Sequence, residues 1–151
     1  MEPEIVPQPA IRLVGLEIRT QSMSPEIPAL WPRLVARLSD ITGVKEPGVT
    51  FGAMRNESDQ VLVYLAAVPV CAGAPIPADM TAWDVPAGLH AVFEFPFGDI
   101  GRAYPFIFGT WLPGSGHQQD ARPVLERYGA DFSPDQPASP MQVHVPLRSR
   151  V

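Results

Sequence analysis

Residues 27–38 read IPALWPRLVARL, and residues 100–111, 73 positions later, read IGRAYPFIFGTW. Both segments place an isoleucine, an aromatic residue followed by proline, an apolar residue and a large apolar residue at the same spacing. A duplication constrains the architecture more firmly than any single propensity, because two similar segments are expected to fold alike. The repeat therefore predicts two similar halves, each with one helix of this pattern.

The first half, residues 4–70, is expected to fold as a βαββ unit. Runs of apolar and β-branched residues predict its strands near 10–20, 49–55 and 60–70. Its helix is expected to begin after a capping Ser24, to bend at Pro32 and to end before Gly43. Gly15 lies where the apolar face of the first strand changes phase, which suggests a bulge.

The second half, residues 87–148, repeats this order. Its strands are predicted near 88–95, 124–131 and 141–147. Its helix is expected to run from a capping Asp99 to about Leu112, with a bend at Pro105. The proline-rich segment 71–86 between the halves is expected to be a stiff linker.

Neither half could bury both its helix and its sheet surface alone, so the halves are expected to pack as a single domain, residues 1–151. The predicted fold is α+β. A duplicated βαββ unit with pseudo-two-fold symmetry forms an antiparallel sheet, and two main helices flank a central groove. Nineteen prolines in 151 residues argue against long uninterrupted helices.

Charge and composition disfavour several classes of protein. The chain has 16 acidic and 11 basic residues, a net charge of −5, which disfavours direct nucleic-acid binding. Prolines and a glycine interrupt the uncharged stretch 61–78, so a buried strand fits it better than a membrane span. One cysteine, Cys71, and an acidic N-terminus without a signal-peptide pattern favour a cytoplasmic location.

Short motifs in the second half resemble a known family. They are Val85-Pro86-Ala87-Gly88, Ala91-Val92-Phe93, Trp111-Leu112-Pro113-Gly114-Ser115-Gly116 and Leu125-Glu126-Arg127-Tyr128. Together with the repeat, their order and spacing resemble the GyrI-like small-molecule-binding domain, also called the AraC-type effector-binding domain, which is related in fold to the SOUL heme-binding proteins. The resemblance covers residues 4–148. It points to a stand-alone member, because the chain begins directly at the first strand.

The resemblance implies a bacterial domain that binds small, often cationic and aromatic molecules in the groove between the repeats, and that takes part in transcription regulation of drug response. Glu126 matches the acidic residue of the family motif Phe-Glu-x-Tyr, with leucine in place of phenylalanine. Two positions depart from the family pattern. Glu94-Phe95 stands where an aromatic-x-His sequence is common, and His90 stands where tyrosine is common.

Glu126 and Tyr128 lie two residues apart in a predicted strand, so their side chains point to the same face. If this face lines the groove, the buried carboxylate needs a positive partner, and an organic cation would supply one. Aromatic walls would add a cation–π attraction of about 0.5–2 kcal/mol per ring. The residues alone also allow a solvated Glu126 on an edge strand, paired with Arg127 or Arg122.

Four more aromatic residues are candidates for ligand contact. Tyr104 and Trp111 lie on the second predicted helix, and Phe93 lies on the strand before it. Trp83 falls in the predicted linker, where an exposed indole would act as a lid. The alternative for each of them is a structural role in the core or at the edge of the domain.

The three histidines, His90, His117 and His144, are far apart in sequence and show no metal-ligand spacing. Together with the single cysteine, this pattern predicts neither a metal site nor a cofactor. His90 and His144 lie opposite the apolar faces of their predicted strands, which predicts that both are surface residues.

Three functions remain open at the level of sequence. The first is non-catalytic binding of a lipophilic, cationic aromatic molecule, for sensing or sequestration. The second, which only the resemblance implies because some GyrI-like proteins look like hydrolases, is hydrolysis of strained, cyclopropane-containing natural products, with Glu126 acting on water and Tyr128 beside it. The third is a protein-interaction module, such as a topoisomerase modulator, with a protein partner or a homodimer.

Overall fold

The computed structural model describes residues 1–149, so the last two positions of the predicted domain 1–151 lie outside the described residues. The protein forms one eight-stranded antiparallel sheet with two main helices packed on one face. The expected α+β fold is confirmed. Within residues 1–149, no helix combines the length and the hydropathy needed to cross a membrane.

Strands and helices follow one another in the same order in both halves. The first half contains β1 (Glu4–Gln8), β2 (Ile11–Thr20), α1 (Glu26–Val35), β3 (Thr50–Asn56) and β4 (Leu62–Val70). The second half contains β5 (Thr81–Val85), β6 (Gly88–Pro96), α2 (Ile100–Phe106), β7 (Val124–Tyr128) and β8 (Pro140–Pro146). Each half is therefore a ββαββ unit, with one strand more than expected.

The strand order shows how the halves are related. Across the sheet it is β1-β6-β8-β7-β3-β4-β2-β5, so the halves meet at the central pair β7–β3. The first strand of each half lies at the outer edge of the other half, with β1 beside β6 and β5 beside β2. Reading the order backwards replaces every strand by its equivalent in the other half. The expected pseudo-two-fold duplication is confirmed.

The segment 71–86, which was expected to be a linker, contains strand β5. This strand pairs with Ile11–Gly15 of β2, and its residues Trp83 and Val85 are buried. β5 begins 77 residues after β1, so the second copy starts inside the predicted linker. The prolines around this short strand favour the prediction of a linker, because proline is typical of turns and strand ends.

Helix α1 is shorter than its apolar pattern suggests. The N-cap residue is Pro25 and not the expected Ser24, although Ser24 Oγ accepts a hydrogen bond from the Glu26 N–H at 3.1 Å. The helix passes through Pro32 but ends at Val35, well before Gly43. The apolar residues beyond Val35 lie in a short 3-10 turn and a loop, and they pack against the sheet from there.

Helix α2 changes geometry after Pro105. Proline has no N–H to donate to the preceding turn. The next residues, Ile107–Trp111, form a wider π-helical turn, and a last α-helical turn follows at Leu112–Gly114. The expected helix from Asp99 to about Leu112 is therefore present in extent but not uniform in geometry.

The apolar core occupies both faces of the sheet. On the face that we call the helix face, Leu30 of α1 and Ile107 of the π-helical turn after α2 are fully buried against the strands. On the other face, the concave face, a cluster without helical residues is buried: Leu13, Val49, Phe51, Ala53, Val63, Leu65, Ala67, Trp83, Val85 and Leu125. The sheet curls around this cluster, because the Arg55 guanidinium in β3 lies 4.6 Å from the Trp83 ring, three strands away.

The bulge expected at Gly15 is absent from the pairing of β2 with β4. The register runs without interruption from Arg12 opposite Val70 to Thr20 opposite Leu62. A Cβ at position 15 would lie 1.8 Å from the carbonyl oxygen of Ala66. Glycine is therefore required here by the close approach of the two backbones.

The expectation that His90 and His144 are surface residues is wrong. Their side chains lie on the concave face, 1% and 6% exposed, with ring centroids 6.1 Å apart. The curl of the sheet buries positions that strand alternation alone places away from the core. Burial lowers the pKa of both imidazoles, with further contributions from Arg122 at His90 and from His90 and Arg127 at His144. Asp120 opposes the shift at His90.

This histidine pair predicts a loss of stability in acid. Burial lowers the pKa of His144 to about 4 from an ordinary value of 6.5. The unfolded chain then binds the proton more readily than the folded one, so the stability is present above pH 6.5 and is lost as the pH falls towards 4. We expect the free energy of unfolding in urea titrations to fall by about 2 kcal/mol through His144 between pH 7 and pH 4.5. His144→Gln should remove this part of the slope, and an unchanged slope in that variant would contradict the assignment.

Candidate functional site

Glu126 is the only acidic side chain that is buried among the described residues 1–149, with 5% exposure. It lies on the helix face of β7, near the middle of the sheet, opposite Gly52 of β3 and Val143 of β8. Its neighbour Leu125 points to the concave face, as the alternation of a strand requires. The alternative of a solvated Glu126 on an edge strand is therefore wrong, and Arg122 and Arg127 pair instead with Asp120 and Glu46.

Three tyrosines donate hydrogen bonds to this carboxylate. The Tyr64 hydroxyl reaches Oε1 at 2.8 Å, and the Tyr128 hydroxyl reaches the same oxygen at 3.0 Å. The Tyr104 hydroxyl donates to Oε2 in a short hydrogen bond. Both carboxylate oxygens are thus hydrogen-bonded, which a buried carboxylate requires.

The three hydroxyls come from three different elements and from both halves of the chain. Tyr64 lies on β4 of the first half, whereas Tyr128 lies on β7 and Tyr104 on α2 of the second half. Tyr64 and Tyr128 share the helix face because strand residues alternate, and α2 packs Tyr104 onto that face. The junction of the two halves therefore assembles the site.

Burial sets the protonation of these groups. It raises the pKa of Glu126, while the hydrogen bonds from Tyr104, Tyr64 and Tyr128 oppose that rise. Burial and the nearby Glu126 charge raise the pKa of all three phenols. The tyrosines therefore stay protonated and act as donors. Glu126 becomes protonated at a higher pH than an exposed glutamate does.

More aromatic rings surround the acid and its donors. The Trp31 indole N–H donates to the Tyr64 hydroxyl at 3.3 Å, and its ring meets the Tyr128 ring edge-on with centroids 5.5 Å apart. Phe132 packs against Tyr128 at 4.6 Å, and Phe108 stacks on Tyr104 at 6.1 Å. One buried acid thus lies inside a wall of aromatic side chains.

The predicted site residues divide into two groups. The structure brings Tyr104 and Tyr128 onto Glu126, as described above. Phe93 and Trp111 contact each other, with ring centroids 5.1 Å apart, in the core cluster beneath α2. They lie on the same face of the sheet as the acid, but the Trp111 ring contacts Phe93 and stacks on His117, with centroids 6.1 Å apart.

The expectation that Trp83 is an exposed lid in a linker is wrong. Its indole is 6% exposed in the concave cluster, on the opposite face of the sheet from Glu126. The indole N–H donates to Glu17 Oε1 at 2.7 Å, and the Arg55 guanidinium covers the ring. Strand β5 holds the residue there, so we leave it out of the site.

The sequence selected neither Tyr64 nor Trp31 as a site residue. The repeat contained a signal for Trp31, because the offset of 73 residues places it on Tyr104. The structure brings both helical aromatics to the same cluster of phenols. Tyr64 had no such signal, since its role depends on the strand order.

The chemistry of this site is that of a buried anion with neutral donors. None of the seven ion pairs within residues 1–149 includes Glu126. The same residues contain no group of three His, Cys, Asp or Glu side chains that could hold a metal ion. An ionised Glu126 is therefore balanced by hydroxyl dipoles alone, and this arrangement attracts a cation.

If Glu126 serves function, its ionised carboxylate should lower the free energy of unfolding rather than raise it. We expect Glu126→Gln to be at least as stable as the wild type in urea titrations at pH 8, because the amide avoids burying a charge. Arg122→Gln is the control, since Arg122 binds Asp120 and the carbonyls of Leu89 and Leu147. That control should lose about 2 kcal/mol. A loss above about 2 kcal/mol in Glu126→Gln would instead make the acid structural.

Comparisons with known proteins agree with this geometry. Residues 1–147 match the family model of the GyrI-like small molecule binding domain. Transcriptional regulator BrlR of Pseudomonas aeruginosa is 29% identical over 150 residues, which are 97% of this chain and 56% of BrlR. The chain thus spans little more than half the length of this relative.

Two solved structures share the fold. SAV2435, solved with bound tetraphenylphosphonium, superposes with a TM-score of 0.77 at 16% identity, over 99% of this chain and 95% of that one. The C-terminal domain of EcmrR superposes with a TM-score of 0.70 at 13% identity, over 98% of both chains. At these identities the likeness shows the fold alone. The family match over residues 1–147 shows more: this chain belongs to the family of GyrI-like small-molecule-binding domains.

Proposed function

We propose that this domain binds a lipophilic, cationic aromatic small molecule without transforming it, and that Glu126 supplies the negative charge. The observation that carries the proposal is a buried carboxylate that forms no ion pair with any described lysine or arginine. An ionised buried carboxylate is costly without a positive partner. A bound cation supplies that partner.

The hydrogen bonds at Glu126 favour one kind of cation. Three hydroxyls already occupy positions around the carboxylate oxygens. A cation that carries no N–H donors needs no acceptor from the protein, so it can be attracted by the charge while the hydroxyls stay in place. Tetraphenylphosphonium, the ligand in the SAV2435 structure, is such a cation, and its phenyl groups match an aromatic wall.

Ligand access requires one of the phenols to move, because Glu126 is 5% exposed. Tyr64 and Tyr128 are held by strands inside the sheet, whereas Tyr104 is carried by α2. The π-helical turn that follows α2 contains Gly109, at which an added Cβ would meet open space. We therefore assign Tyr104 and α2 as the movable wall of the site.

The family and the relative support a proposal for the biological role. We propose that the domain senses or sequesters its ligand in the cytoplasm, as part of a response to toxic cations. BrlR is a transcriptional regulator, and the chain corresponds to 56% of it. We therefore propose that this domain acts in a system that regulates transcription. Hydrolysis and protein interaction stay predictions.

The charge at position 126 should dominate the affinity for a cation. We expect tetraphenylphosphonium to bind the wild type in isothermal titration calorimetry at pH 8, and Glu126→Gln to bind it about ten- to hundredfold more weakly. Glu94→Gln is the matched control, because Glu94 is an exposed acid on β6. The control should keep the wild-type affinity.

Three results would contradict the proposal. Equal affinities of the wild type and Glu126→Gln would remove the charge argument. Equal losses in Glu126→Gln and Glu94→Gln would show that only the overall negative charge attracts the ligand. Turnover of an added ligand, followed by chromatography, would replace passive binding by catalysis.

Affinity should also depend on pH. Burial raises the pKa of Glu126, so the acid becomes protonated at a higher pH than an exposed glutamate does. The neutral acid attracts a cation less, and the affinity for tetraphenylphosphonium should fall as the pH falls through this raised value. Glu126→Gln should show a flat profile over the same range. An identical slope in both proteins would assign the pH dependence to other groups.

A further inference from the structure

Glycine 52 occupies a crowded position beside the acid. It lies on β3, where the register places it between Ala66 of β4 and Glu126 of β7. A Cβ added at position 52 would lie 2.1 Å from the Tyr64 hydroxyl oxygen and 2.6 Å from Glu126 Oε1. Both distances are far below any real Cβ contact, so a side chain at this position would displace one partner of the hydrogen bond or both.

We infer that Gly52 is a positioning residue of the ligand site, whose missing side chain lets the Tyr64 hydroxyl reach across β3 to Glu126. The inference rests on the proposed function, because it concerns the same acid. It assigns to the first half of the chain a specific part in the hydrogen bonding of the Glu126 carboxylate.

Strand order makes this space necessary. Tyr64 and Glu126 lie on β4 and β7, which are separated by β3, so their backbones are about 10 Å apart. Their side chains nevertheless meet at 2.8 Å. The phenol therefore passes directly over the β3 backbone, and Gly52 is where it passes, because the ring carbon Cζ would lie 2.8 Å from an added Cβ.

The close neighbours of Gly52, and not its backbone conformation, explain why this residue is a glycine. The φ angle of Gly52 is not among the positive values found at Gly43, Gly48, Gly73 and Gly116. An alanine could therefore adopt the local backbone conformation. The neighbours are also unable to give way cheaply, since Tyr64 is 1% exposed and Glu126 is 5% exposed.

The duplication also relates Gly52 to Glu126. Gly52 and Glu126 are separated by 74 residues, close to the offset of 73 that relates the two helices, and they pair directly across the central strands. A second acid at position 52 would face the first one, and two like charges in contact would repel each other. One half therefore supplies the acid, and the other half supplies the space and the Tyr64 donor.

A substitution at position 52 should act on Glu126 through Tyr64. Without this donor the ionised carboxylate loses one of its three hydroxyl hydrogen bonds, which raises the pKa of Glu126 further. The test is the carboxyl carbon-13 shift of Glu126 as a function of pH in the ligand-free protein, with the resonance assigned from Glu126→Gln. In Gly52→Ala the titration midpoint should move up, and tetraphenylphosphonium should bind about tenfold more weakly at pH 7.

Gly129→Ala is the matched control. It directly follows β7, and its added Cβ would be in ordinary contact, 3.6 Å from Arg127 Nη1. The control should keep both the wild-type midpoint and the wild-type affinity. An unchanged Glu126 midpoint in a folded Gly52→Ala protein would overturn the inference, as would an equal shift in the control.

A second background covers the case in which Gly52→Ala does not fold. In Tyr64→Leu the shorter side chain leaves the space above position 52, and the contact of the added Cβ with Glu126 Oε1, at 2.6 Å, remains. Adding Gly52→Ala to Tyr64→Leu should therefore give a folded protein, and the Glu126 midpoint should move less than it moves between the wild type and Tyr64→Leu. A failure of this double variant to fold, or a second midpoint shift as large as the first, would overturn the inference. Failure of the wild type to bind tetraphenylphosphonium would sink the proposed ligand class alone, because the carbon-13 titration needs no ligand.

Discussion

The proposed site depends on burying one carboxylate, Glu126, without a cationic side chain paired with it. A buried charge of this kind is tolerated only if enough dipoles point at it. Three phenol hydroxyls do so here, and burial keeps them protonated over the physiological pH range. The aromatic rings that carry these hydroxyls also form the wall around the acid. The groups that stabilise the buried carboxylate are therefore those that would receive an aromatic cation.

The two halves of the chain have the same topology but different parts in the site. The second half provides the acid, together with Tyr104 and Tyr128. The first half provides Tyr64, the supporting Trp31 and the glycine over which Tyr64 crosses. A symmetric arrangement would place two acids or two spaces at the central pair of strands. The asymmetry of the side chains turns a symmetric scaffold into a site with a single charge.

The sequence predicted those features that depend on spacing along the chain. The offset of 73 residues indicated two halves, and the alternation of a strand placed Glu126 and Tyr128 on one face. It could not indicate Tyr64 or Gly52, because their contact with the acid depends on which strands are neighbours. It also misplaced Trp83, His90 and His144, because the curl of the sheet creates a buried concave face that no alternation pattern reveals. A protein partner or homodimer stays a prediction.

The most direct test of the central claim is a crystal structure of this domain with tetraphenylphosphonium bound. The account predicts the phosphorus within about 6 Å of the Glu126 carboxylate, the distance at which a charge still acts strongly on a buried acid. It also predicts that the Tyr104 hydroxyl has left Oε2 while Tyr64 keeps its hydrogen bond. A ligand bound away from Glu126, with all three phenols still on the carboxylate, would contradict the account.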